Sequence, residues 1–192
     1  MGDLSFRLGD HGRYHASGGV TLMNNDYPTG VGGRIQFAAI LLESLLAKNN
    51  LQGLALICAN IDNMKHFNQH NGHQKGDALI WHLASVIQNA AGGRGQVFRV
   101  AGDEFMAIMS CCDESDAVSV SQKIVSRFTD TPLVEQLEHC GDKQCLGPAA
   151  VSVSVGLVVA NAGNCPSADE LTEQAIGKMM NAKESGRNCA RW

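Results

Sequence analysis

The run GLALICANID (53–62) is apolar for six consecutive residues after its opening glycine, up to Asn60–Asp62 at its end. A short run of this kind, following a glycine, predicts a strand buried inside the protein rather than one with a wet face. A buried strand demands covering layers, and the rest of the chain supplies them. RIQFAAILLESLLAKN, from Arg34, repeats apolar residues at helical spacing, and KGDALIWHLASVIQNAA (75–91) does the same until Gly92 and Gly93 stop it. QVFRVAGDEFMAIMS (96–110) predicts two strands around a tight turn at Ala101–Glu104. A helix is expected over Ser115–Phe128. AVSVSVGLVVA (150–160) is β-branched and alternating, hence a strand. Ser167, with Glu170 three residues on, caps a last helix that runs to about Lys183. Residues 63–74 read as a short polar segment and 130–148 as a loop.

Strands that alternate with helices predict an α/β layered domain, one sheet with helices packed on it. Residues 1–24 are rich in Gly and His without periodicity and read as a linker to the domain at 25–192. There is no run of about 18 apolar residues and no signal-peptide pattern, so a cytoplasmic chain without a membrane segment is expected. A net charge of −4 argues against a nucleic-acid groove, which needs clustered Lys and Arg, but not against a small anionic ligand. Seven cysteines without a CxxC pair read as reduced thiols, with Cys140 and Cys145 able to bridge on oxidation.

Several short stretches carry oxygen and nitrogen chemistry. AGDEF (101–105) places two small residues and two carboxylates between apolar strands; turn preference alone also accounts for it. Strand periodicity puts Asn60 and Asp62 on one side, beside those acids, an oxygen-rich arrangement suited to Mg²⁺ or to a solvated strand end. KESGRN (183–188) puts cations at a helix C-terminus, favoured by the helix dipole and equally by a triphosphate. His66, His70 and His73 have partial zinc spacing but lack a fourth ligand, so solvated histidines are expected.

In order and spacing these stretches resemble the GGDEF diguanylate cyclase family over residues 25–192. The resemblance rests on DYPTGVGGR (26–34), NIDNMKHFNQHNGHQKGD (60–77), RVAGDEF (99–105), SVSVG (152–156) and AKESGRN (182–188). It implies a nucleotide-cyclase-like fold with a single mixed, largely antiparallel sheet. It also implies an activity: two GTP condense to cyclic di-GMP with release of two pyrophosphates, by attack of one ribose 3′-hydroxyl on the other α-phosphate. Carried over by position, Asn68 and Asp77 match the guanine-reading residues. Asp103, Asn60 and the carbonyl of Ile61 match the Mg²⁺ (or Mn²⁺) ligands, with Asp62 two residues from Asn60 as a further candidate. Glu104 matches the catalytic carboxylate, with Asp103 beside it. Lys65, Lys183, Arg187 and the backbone N–H groups at Asn63 and Met64 match phosphate contacts. Ala101 and Gly102 match the positions where nucleotide nears the backbone. Each domain holds one GTP, so a homodimer is implied, and an upstream sensory domain is compatible with the linker.

The chain departs from the family pattern at informative places. Asn60 stands where the family has an aspartate, so a neutral amide replaces a charged ligand. Ala101 replaces the first glycine of the signature. GGRG (92–95) puts Gly92 and Gly95 where the family's product-inhibition motif has Arg and Asp, so no product inhibition is expected there. Asn60 favours a guanine-nucleotide-binding regulatory domain with cyclase activity weak or lost; the retained residues favour an active cyclase without product inhibition.

Overall fold

A computed structural model describes residues 25–26, 29–47, 53–111, 113–130, 151–161 and 166–192. Its elements run β1 (Gly32–Gly33), α1 (Arg34–Leu46), β2 (Leu54–Ile61), α2 (Met64–Asn71), α3 (His73–Ala91), β3 (Gly95–Ala101), β4 (Glu104–Ser110), α4 (Glu114–Thr129), β5 (Val153–Ala160), α5 (Ala168–Glu184) and β6 (Ala190–Arg191). The strands form one sheet in the order β1-β3-β4-β2-β5-β6. The long strands β3, β4, β2 and β5 pair antiparallel, and the two-residue edge strands β1 and β6 add parallel pairings. A mixed, largely antiparallel sheet with helices packed on it is therefore the fold.

β2 lies at the centre and is buried at every residue. Its alternation divides the core. Ala55, Ile57, Ala59 and Ile61 join α2, α3 and α4 in one apolar cluster. Leu54, Leu56 and Cys58 join α1 and α5 in the other. Both faces are covered, which is why β2 has no polar alternation. By the same parity Asn60 opens toward the α1/α5 face. Burial, with Glu104 nearby, pushes the Cys58 thiol far above its ordinary range, so it is an inert core thiol.

The capping box at Ser167 is present: Ser167 Oγ accepts from the Glu170 N–H at 3.2 Å, and Glu170 Oε2 accepts from the Ser167 N–H at 2.9 Å. The polar segment after β2 is different from its sequence reading, because it contains the helix α2. Only Met64 and Phe67 of this helix are buried, one i/i+3 pair, which is too short a signal for periodicity to register. α3 also begins two residues before the expected Lys75. Gly92–Arg94 form a 3₁₀ turn, and Arg94 pairs with Asp116 at the start of α4. Cys140, Cys145, the end of the predicted first helix and most of the predicted loop lie outside the described residues. No helix among the described residues is long and apolar enough to cross a membrane.

Candidate functional site

The end of β2, the β3–β4 turn and the end of α5 meet at one edge of the domain. Asn60 pairs in register with Glu104 on β4 and with Ser154 on β5. Its Nδ2 donates to Asp103 Oδ1 at 3.3 Å, and its Oδ1 accepts from Lys183 Nζ at 2.6 Å. Lys183 reaches it because α5 packs on the face toward which Asn60 opens. Asn60, Asp103, Glu104 and Lys183 therefore stand together, and the Ile61 N–H donates to the Asp103 carbonyl at 3.4 Å.

The turn itself spans Gly102 and Asp103, with Gly102 at φ +29°, a region that L side chains seldom adopt. Ala101 sits exposed on the β3 side, opposite Glu104 in register. Arg99 holds this turn: its Nε donates to the Gly102 carbonyl at 2.7 Å, and its guanidinium donates to Asp26 Oδ2 at 3.1 Å. Thr29 Oγ1 donates to the same Asp26 oxygen at 2.8 Å. The opening motif thus fixes the signature turn through Arg99. Asp26, Thr29 and Arg99 lie in motifs that carry the family resemblance, yet the sequence alone gives them no role, because the spacing of 73 residues between Asp26 and Arg99 hides the link.

Glu104 is half-buried, and its carboxyl is held above the ordinary glutamate range, first by burial and then by the neighbouring Asp103. Lys183 and Arg34, the first residue of α1, oppose the shift. A carboxyl raised in the folded state contributes stability that is present at acid pH and lost as pH rises through its raised value. Glu104→Gln is therefore expected to melt at a higher temperature than the parent at neutral pH, with the difference closing below the ordinary glutamate range. Melting curves from pH 4 to 8 check this; a lower melting temperature at neutral pH would contradict it.

Asp62 does not join the acids. β2 ends at Ile61, so strand alternation no longer aims the next side chain, and Asp62 is fully buried on the β5 side. Its oxygens accept from Ser152 Oγ at 2.6 Å, Ser154 Oγ at 2.8 Å and the Asn188 N–H at 3.3 Å. The expectation that it shares a metal pocket with Asn60 gives way to a structural reading: Asp62 ties the turn after α5 to the sheet. That turn needs tying. Gly186, Arg187 and Asn188 all have positive φ, at 109°, 65° and 48°, and each non-glycine residue there costs about 1 kcal/mol or more. Arg187, exposed, is carried on it, with its N–H bonded to the Ala182 carbonyl at 3.0 Å.

Asn63, left-handed at φ 58°, opens α2, so Asn63 and Met64 present the unpaired N–H groups of a helix start, with exposed Lys65 in the first turn. One turn later comes Asn68, whose Oδ1 is buried without a partner. A methyl on Gly76 would stand 1.9 Å from that oxygen. Gly76 thus makes the room in which Asn68 sits, and exposed Asp77 follows it directly. Gly76→Ala is expected to displace the Asn68 amide and, if Asn68 reads guanine as the family resemblance implies, to weaken binding of GTP by about tenfold, the effect of roughly one lost hydrogen bond to a buried partner. Titration calorimetry reads this; unchanged affinity would remove Asn68 from the site. His66 and His70 share a face of α2 with ring centroids 4.2 Å apart, while His73 begins α3.

The donor set is a poor fit to a resident divalent cation. Asn60 Oδ1 is taken by Lys183, Asp103 Oδ1 by the Asn60 amide, and both Asp62 oxygens by structural donors. Among the described residues no group of three or more His, Cys, Asp or Glu stands together to hold a metal ion.

A six-stranded mixed sheet between helices, with paired acids on a central hairpin turn beside a lysine, defines a nucleotide-cyclase-like domain. The chain belongs to the GGDEF family: the model described as "Diguanylate cyclase, GGDEF domain" matches residues 23–189. It is 31% identical over 165 residues to diguanylate cyclase DgcS of Shewanella oneidensis, covering 85% of this chain and 51% of that protein. It is also 31% identical over 144 residues to a diguanylate cyclase of Vibrio cholerae, covering 74% of this chain and 40% of that protein. The chain spans about half the length, or less, of these curated relatives. Among solved structures, the coiled coil and GGDEF domain of DgcB from Caulobacter crescentus, in complex with c-di-GMP, superposes with a TM-score of 0.75 at 25% identity. That match covers 87% of this chain and 84% of the other. Diguanylate cyclases of this family generally use a divalent metal.

Proposed function

We propose that this chain is a guanine-nucleotide-binding GGDEF domain with a degenerate metal site, its conversion of GTP to cyclic di-GMP weak or lost, serving a regulatory role in cyclic di-GMP signalling. The observation that carries the reading is the Asn60 amide, which brings no charge to the site and spends its oxygen on Lys183. Recognition of GTP is assigned to Asn68 and Asp77 for guanine, and to the N-terminus of α2, Lys65, Lys183 and Arg187 for phosphates. An amide and a carboxylate together can read a guanine edge, because the carboxylate accepts from N1–H and the 2-amino group. The domain is taken as residues 25–192, cytoplasmic, with 1–24 as a linker or lead-in compatible with an upstream sensory domain.

A second reading is an active cyclase without product inhibition. It is favoured by the juxtaposition of Glu104, Asp103 and Lys183, and by glycines at 92 and 95 where an inhibitory site would need Arg and Asp. It requires a homodimer, since one domain holds one GTP. It also requires Mg²⁺ or Mn²⁺ at Asp103, Asn60 and the Ile61 carbonyl, so Asn60 must first release Lys183.

Titration calorimetry with GTP and ATP tests the common part. GTP is expected to bind at least about tenfold more tightly than ATP, because ATP leaves the Asp77 carboxylate facing no donors. Equal affinities would sink the assignment of a guanine site.

A further inference from the structure

The hydrogen bonds at Asn60 have a consequence for how a triphosphate is met. An amide has a fixed polarity: one end donates and the other accepts. Here the donating end faces Asp103 and the accepting end faces the Lys183 ammonium, at 3.3 and 2.6 Å. Asn60 is 9% exposed and lies within the sheet between Glu104 and Ser154, so the amide sits in a restricted space. Reversing it would turn its N–H toward an ammonium and its oxygen toward a carboxylate, two repulsive contacts. The ammonium thus stands on the oxygen that a metal ion would use. It does so beside the carboxylates Asp103 and Glu104, with the Arg34 guanidinium a second protein cation acting on Glu104.

Resting on the reading of this site as a GTP site, we propose that Lys183, held by Asn60, takes the place of the divalent cation, so that the domain binds guanosine triphosphate without metal. A compact ammonium is a competent phosphate partner. With an amide at position 60, it does not have to neutralise a third carboxylate before it meets the phosphates. An aspartate there would add a negative charge beside Asp103 and Glu104 and make triphosphate binding depend on an added cation.

The test is calorimetric titration of the whole chain with a GTP analogue carrying a methylene bridge between the α- and β-phosphates, which cannot be cyclised. Titrations are run in EDTA and in Mg²⁺, on the parent and on Asn60→Asp. The parent is expected to bind with affinities within about threefold in the two conditions, and Asn60→Asp to bind at least about tenfold more weakly in EDTA than in Mg²⁺. Parent affinity that falls tenfold or more in EDTA overturns metal independence and leaves the GTP site standing. Absence of binding in both conditions, by protein whose melting curve shows it folded, overturns the inference and the GTP site together. Equal affinities in both conditions for both proteins would show that Asn60 does not set the metal requirement, and would overturn its assigned role.

Discussion

Asn60→Asp is expected to raise cyclic di-GMP synthesis by roughly 100-fold, from at or near the detection limit, in the presence of Mg²⁺ or Mn²⁺. The substitution keeps an acceptor for Lys183 and removes the N–H that now binds Asp103 at 3.3 Å. It returns a negative charge at the end of β2, where the amide has none, and frees Asp103 Oδ1. Surrounding groups are unchanged in volume, so packing at this central strand is not disturbed. Turnover measured by chromatography of the product reads the effect directly. A variant no faster than the parent would show that loss of activity, if found, lies deeper than one ligand.

Asp62→Ala is expected to lower stability by about 3 kcal/mol, seen as a melting temperature lower by roughly 6–12 °C for a domain of this size. Two hydroxyls, of Ser152 and Ser154, lose their acceptor; both serines are buried. The Asn188 N–H loses its partner as well, and with it the restraint on three consecutive left-handed residues. GTP affinity should fall too, because Arg187 rides on that turn. Asp62→Asn separates the two effects: its single acceptor oxygen leaves one serine unsatisfied, so an intermediate melting temperature is expected. A melting temperature within 2 °C of the parent for Asp62→Ala would contradict the structural role of Asp62.

Much of this architecture was legible because its signals are local. β2 is apolar on both faces, α3 repeats at 3.6 residues, and Ser167 with Glu170 announces a helix start; each needs only its own neighbourhood. α2 escaped because its eight residues bury two side chains. The two-residue strands β1 and β6 carry no pattern of their own and owe their pairing to β3 and β5. At the site, the juxtaposition of Asn60, Asp103, Glu104 and Lys183 accords with the motif order. What one dimension could not give was polarity and direction: which end of the Asn60 amide faces Lys183, and that Asp62 turns to Ser152 and Ser154 instead of the acids. Those depend on contacts between residues 90 or more apart. The Asp26–Arg99 link was hidden in the same way.

The most direct measurement is incubation of the purified chain, at high concentration, with GTP and Mg²⁺ and then Mn²⁺, followed by chromatography and mass spectrometry for cyclic di-GMP. A degenerate nucleotide-binding domain predicts GTP bound in calorimetry with little or no product formed. Rapid product formation that disappears in Glu104→Gln would contradict it, and would make the chain a cyclase that works with an amide at position 60.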